Sequence, residues 1–129
     1  MTIGSIESFT GGAFAAAIVK KPGASTYFKG TVVTYATEIK EKLGVDISDG
    51  LVSKKTALSM TKIGRKFLGV DLCVSFTGSA GPDSLDGIAP GNVIIAINED
   101  VYKLNIKGSR EEVIKKSVDF ALKKIKKFI

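Results

Sequence analysis

Short apolar segments alternate with helix-spaced patterns along this chain, and clusters of glycine, serine, threonine and proline separate them. Ile3 to Ile6 leans apolar and reads as a strand. It runs into Glu7-Ser8-Phe9-Thr10-Gly11-Gly12, after which the small-residue run Ala13 to Val19 predicts a helix from about Thr10 to Lys20. Lys21-Pro22-Gly23-Ala24-Ser25 ends it. Thr31 to Tyr35, rich in β-branched and aromatic residues, predicts a second strand with Tyr35 at its C-terminal end. Thr37 is placed to cap a short helix that runs to Leu43 and stops at Gly44. A turn at Asp46 to Gly50 precedes a longer helix from about Ser53 to Leu68, with Ala57, Met60, Ile63, Gly64 and Phe67 on or near one face.

Val70 to Phe76 is short and apolar, as a buried strand should be, with Cys73 as a small core residue. Thr77-Gly78-Ser79-Ala80-Gly81-Pro82 follows as a second small-residue loop at a strand end. Gly91 to Ile97 and Val101 to Ile106 predict an antiparallel hairpin through Asn98-Glu99-Asp100. Gly108-Ser109-Arg110 opens a final helix that carries Val113, Ile114, Val118, Ala121, Leu122 and Ile125 at helical spacing. The implied fold class is α/β, a single three-layer domain with a mixed, mostly parallel sheet flanked by helices. If the first three strands run parallel, the loops after Ile6, Tyr35 and Phe76 converge on one crevice at their carboxyl ends.

Composition narrows the chemistry. With 129 residues, 44% of them hydrophobic, one domain has one core to bury. The net charge of +6 is concentrated after Ser109, but those lysines alternate with apolar positions and read as the solvated face of the last helix, so no nucleic-acid partner is expected. One cysteine precludes an intrachain disulfide and an all-cysteine zinc site, and the complete lack of histidine removes Ser-His-Asp, Cys-His and histidine-metal chemistry together. A cytoplasmic protein with no membrane span, no metal and no cofactor is expected.

Four features are left as candidate chemistry. Ser8 sits on a strand-to-helix turn where Thr10 is placed to cap the helix, and Gly11 and Gly12 let a phosphate or an oxyanion approach the first backbone N–H groups. The hydroxyl beside those donors is either a nucleophile or one more turn residue. Lys40, placed in the first turn of a short helix, is either a general base with a lowered pKa or a surface lysine. Arg110 at the last helix start could reach an anion, and Asp83 and Asp86 in the second loop are either metal-capable or solvated turn residues. Ser59-Met60-Thr61-Lys62 matches a Ser-x-x-Lys signature without its companion motifs and is read as helix surface.

Taken in order, Glu7-Ser8-Phe9-Thr10-Gly11-Gly12, Tyr35-Ala36-Thr37-Glu38-Ile39-Lys40, Thr77-Gly78-Ser79-Ala80-Gly81-Pro82 and Gly91-Asn92-Val93 resemble the C-terminal domain of the competence/damage-inducible CinA family. The resemblance covers residues 1–129, without the family's opening helix. It implies an amidohydrolase that converts nicotinamide mononucleotide to nicotinate mononucleotide and ammonia, with Ser8 as nucleophile and Lys40 as its base. It further implies a substrate site containing Tyr35, Thr77, Gly78 and Arg110 together with Thr10, Gly11 and Gly12, whose N–H groups are candidates for the oxyanion site. A homo-oligomer, most simply a dimer, is expected. The alternative is a mononucleotide- or phosphate-binding protein of the same fold with impaired catalysis. The chain departs from the family's pattern at Phe9, usually cysteine, at Thr37, usually asparagine, at Ser79, usually aliphatic, and at Ile88-Ala89-Pro90, usually Lys-Pro-Val. The Phe9 ring is expected to turn into the core.

Overall fold

A computed structural model describes residues 1–129. In chain order the elements are β1 (Ile3–Glu7), α1 (Ala13–Val19), β2 (Phe28–Val33), α2 (Thr37–Leu43), α3 (Lys54–Leu68), β3 (Leu72–Gly78), β4 (Asn92–Ile97), β5 (Asp100–Asn105) and α4 (Arg110–Ile125). The sheet runs β2-β1-β3-β4-β5, with β1 parallel to both β2 and β3, and β4 antiparallel to β3 and β5. Four of the five strands therefore point one way. The apolar runs read as strands explain the centre of this order, since β1 and β3 are buried along their whole length and need cover on both faces.

Alternation along the strands divides the core between two helical layers. Leu72, Val74 and Phe76 of β3 and Val93, Ile95 and Ile97 of β4 share one cluster with Phe14 and Ile18 of α1 and Val113, Val118, Ala121 and Ile125 of α4. Phe14 and Phe76 meet there with ring centroids 5.1 Å apart, and each fully buried ring contributes about 1.5–3 kcal/mol. Cys73 and Ile6, on the opposite face, pack with Met60 of α3. Gly64 lets α3 lie close on this face, because a Cβ there would stand 2.4 Å from Cys73 Sγ and 2.7 Å from Ile6 Cγ1. Burial pushes the Cys73 thiol up to about 12, which leaves it an inert core residue.

Capping explains where the helices begin. Ser53 accepts from the N–H of Thr56 at the start of α3, and Ser109 and Glu112 form a reciprocal capping box at the start of α4. At four places the structure corrects the local reading, the first being the second strand, which runs Phe28–Val33 and ends two residues before Tyr35. Thr37 is the first residue of α2 rather than its cap. Phe67 stands exposed instead of on the buried face of α3. The first helix begins at Ala13, because residues 8–12 form a turn that ends with Gly11 and Gly12 in left-handed conformations, φ 58° and 99°. Ser59 accepts from the backbone N–H of Asp46 at 2.8 Å and fastens a turn to the helix surface. No helix is long and apolar enough to cross a membrane.

Candidate active site

The site is built where β1 ends. Glu7, its last residue, is completely buried, and its carboxylate accepts from six donors. Oε1 takes the Thr10 hydroxyl at 2.8 Å and the N–H groups of Gly12 and Phe14 at 3.1 Å each. Oε2 takes the N–H of Ala15 at 3.0 Å and the hydroxyls of Ser5 and Thr31 at 3.0 and 3.3 Å. The positive end of α1 is thus neutralised by an anion of the chain itself. This corrects the expectation that Thr10 caps the helix and that the Gly12 N–H receives a ligand. Thr10 donates to Glu7, and Gly11 N–H closes the turn onto Ser8 O at 3.0 Å.

Ser8 follows at once, with its own N–H tied to Phe76 O at 3.0 Å. Its hydroxyl meets Lys40, whose Nζ lies 2.8 Å from Ser8 Oγ, 2.7 Å from Thr34 O and 3.3 Å from Tyr35 O. Only 2% of Lys40 is exposed, and no carboxylate pairs with it. Burial pushes this amine below its usual 10.5. Of the two expected causes, the helix end and burial, burial accounts for the shift, since Lys40 is the fourth residue of α2, beyond the turn where the helix end acts most strongly. Two backbone carbonyls can hold the two hydrogens of a neutral amine while its lone pair faces the serine hydroxyl.

In the turn after Ser8, the N–H groups of Phe9 and Thr10 donate to nothing within the chain. They replace those of Gly11 and Gly12 as the available donors beside Ser8. The Phe9 ring is buried in the core cluster that holds Phe14 and Phe76, as expected.

Ser8 opens onto a crevice of about 280 Å³ lined by Phe9, Tyr35, Gly78, Ser79, Arg110 and the segment 80–85. Its place follows from the sheet order, because β1 lies between β2 and β3 and the turn after β1 therefore lies between the loops that follow them. Arg110 joins the two walls, donating through Nη2 to the Tyr35 hydroxyl at 2.8 Å and through Nη1 to Gly81 O. Of the residues singled out in the sequence, Ser8, Lys40, Tyr35, Gly78 and Arg110 come together here. Thr77 does not line the crevice, since its hydroxyl donates to Leu51 O, and Asp86 is also engaged, its carboxylate accepting from Leu51 N–H at 2.8 Å. Thr10, Gly11 and Gly12 stand behind Ser8 rather than in the cavity lining.

The sequence reading missed three parts of this site. Glu7 as the clamp was signalled only by a carboxylate at the end of an otherwise uncharged strand. The Lys40-holding carbonyls of Thr34 and Tyr35 and the crevice wall at Ser84 and Leu85 carried no local signal, whereas Asp83, singled out in the sequence, lines that wall.

Known proteins are similar to this chain over most or all of its length. A sequence profile for the CinA C-terminal domain matches residues 1–129. A Bacillus velezensis protein whose name describes it as competence-damage inducible is 40% identical over 138 aligned residues, covering 100% of this chain and 33% of that protein. A Geobacillus protein of the same name is 41% identical over 122 residues, covering 87% of this chain and 29% of its own length. The chain thus spans about a third of these curated relatives. Among solved structures, a CinA superfamily protein from Klebsiella pneumoniae superposes with a TM-score of 0.91 at 26% identity, covering 96% of this chain and 84% of that one. A competence/damage-inducible protein from Agrobacterium tumefaciens gives 0.88 at 28% identity, with 97% and 83% covered.

Proposed function

The chain belongs to the CinA C-terminal domain family, and from that premise and the buried Ser8–Lys40 contact we propose that it is a Ser-Lys amidohydrolase acting on nicotinamide mononucleotide. The observation that carries this reading is the 2.8 Å approach of the Lys40 amine, buried and unpaired with any carboxylate, to the Ser8 hydroxyl. A lysine can serve as a base only when neutral, and desolvation favours that form.

In the proposed reaction, Ser8 Oγ attacks the carboxamide carbon and passes its proton to Lys40 Nζ, while Thr34 O and Tyr35 O accept hydrogens of the ammonium that forms. The carbonyl oxygen becomes an oxyanion beside the free N–H of Phe9, the one of the two free donors whose residue lines the cavity. Collapse of the tetrahedral intermediate breaks the C–N bond, and Lys40 gives its proton to the departing nitrogen, which leaves as ammonia. Water then attacks the acyl-serine, its proton passes to Lys40, and cleavage of the ester releases nicotinate mononucleotide as Ser8 recovers its hydrogen. Each proton taken by Lys40 is returned within the cycle.

The inward Phe9 ring supports the catalytic reading over binding without turnover, because the cavity beside Ser8 is not filled by an aromatic side chain of the chain itself. Ammonia release from nicotinamide mononucleotide by the intact protein, by Ser8→Ala and by Lys40→Ala is the test. Turnover in the first with losses of several orders of magnitude in both variants is expected, and near-normal turnover by Ser8→Ala overturns the mechanism.

A further inference from the structure

The β3–β4 connection carries a feature that the Ser-Lys chemistry does not use. Leu85 and Ile88 exchange backbone hydrogen bonds, Leu85 N–H to Ile88 O at 3.0 Å and Ile88 N–H to Leu85 O at 2.8 Å. The two residues between them, Asp86 and Gly87, are both left-handed, with φ of 51° and 76°. Asp-Gly is the pair that such a two-residue turn favours. The Asp86 carboxylate then ties the turn to Leu51 N–H, so the hairpin is anchored at its tip. The main chain that carries Leu85 is consequently fixed at both ends of the turn. It lines the crevice and is 41% exposed.

On the other wall, Tyr35 also lines the crevice and is 59% exposed. These are the two large apolar residues that combine marked exposure with a place in this cavity; the rest of the lining is mostly glycine, serine, alanine and proline. Sheet order sets them on either side of Ser8, since Tyr35 follows β2, Leu85 follows β3, and Ser8 follows the strand between. The single guanidinium of Arg110 reaches both walls, which keeps them close together. Exposed apolar surface held inside a polar cavity is surface kept for a ligand.

We propose that Leu85 and Tyr35 clamp the flat ring of an aromatic carboxamide between them, which makes Leu85 a specificity-determining residue of the Ser8 site. This rests on Ser8 as the reacting group and on the aromatic carboxamide proposed above, and adds the side chain that selects for its ring. A planar ring presents one face to the phenol and the other to the branched aliphatic side chain. Because a carboxamide conjugated to a ring lies near the ring plane, fixing the ring also fixes the carbonyl face presented to Ser8. Aliphatic amides of similar length lack that handle.

Boronic acids test the clamp without the mononucleotide, since they form a tetrahedral adduct with a serine nucleophile whatever its natural substrate. Phenylboronic and methylboronic acid should be titrated by calorimetry into the intact protein, Leu85→Ala and Leu85→Met, with thermal melts to verify folding. The wild type should prefer the phenyl compound. Leu85→Ala should weaken phenylboronate by about tenfold, the scale of a lost apolar contact in a pocket, and leave methylboronate unchanged, while Leu85→Met restores the preference. No phenyl preference in the wild type, or a preference that survives Leu85→Ala, overturns the proposal. If phenyl preference is present and Leu85-dependent but nicotinamide mononucleotide is not turned over, the clamp stands and the mononucleotide reading falls.

Discussion

Lys40 Nζ lies 2.8 Å from Ser8 Oγ, and no carboxylate stands within ion-pair distance of that amine. Burial without a counter-charge lowers the amine below 10.5, and only its neutral form can take the serine proton. Protonation below the Lys40 pKa should therefore abolish the proposed deamidation, and kcat/KM should climb with a slope of about one as pH rises through that pKa. The midpoint should fall below 10.5. Lys40→Arg keeps a positive charge at every accessible pH and should be inactive throughout. A pH profile of ammonia release measures both, and a flat profile contradicts the assignment of Lys40 as the base.

Glu7 is expected to be the most stability-critical polar residue of the site. Its carboxylate is acceptor-only and meets six donors, whereas a glutamine at the same place turns one end into an NH2 that faces donors. Leaving two or more buried N–H or O–H groups unmatched costs about 3 kcal/mol. Urea denaturation of Glu7→Gln should show that loss as a lower midpoint with an unchanged slope. Turnover should fall too, because the same carboxylate holds the turn that presents Ser8. A variant of wild-type stability would mean that the clamp is redundant.

These two residues mark what local sequence can and cannot reveal. Ser53 and the Ser109-Glu112 pair announce helix starts because their partners lie three residues away. The glycine pair after Thr10 announces a turn for the same reason. Glu7 caps α1 from five to eight residues upstream, across a turn whose shape has to be known first, so Thr10 looks like the cap when only neighbours are read. Lys40 lies in a short helix beside Ile39, Glu41 and Lys42, a setting that gives no sign of burial. Its burial arises from its contacts with Ser8, 32 residues away, and with the carbonyls of Thr34 and Tyr35. The sheet order was readable only in its hairpin, while the convergence of three loops depended on parallel pairing that no short segment encodes.

Phe9 separates stability from activity. Its ring packs in the main core, yet its N–H is one of the two free donors beside Ser8. Phe9→Cys removes most of a buried ring and should cost about 3 kcal/mol. The backbone donor is kept, so kcat should change by less than about tenfold where the protein remains folded. Guanidinium melts and deamidation rates at low temperature separate the two effects. A collapse of kcat in folded protein would place the ring, rather than the main chain, in the chemistry.

Gly64 should transmit a packing error to the site. Alanine is the better helix former by about 1 kcal/mol, so an exposed helical glycine would be improved by it. Here the added methyl would stand 2.4 Å from Cys73 Sγ and 2.7 Å from Ile6 Cγ1, both fully buried side chains of the central strands. Overpacking of this kind costs about 1–3 kcal/mol and outweighs the propensity gain. Relief would come from α3 lifting or from β1 shifting. Ile6 precedes Ser8 by two residues on the same chain, so a shift of β1 should lower kcat more than it changes KM. Gly64→Ala should therefore melt earlier and turn over more slowly. Adding Cys73→Ala, which removes the nearer clash, should make the pair less destabilising than the sum of the single changes. Additive losses in urea denaturation would show that the helix yields independently of β3, and the proposed route from Gly64 to Ser8 would fail.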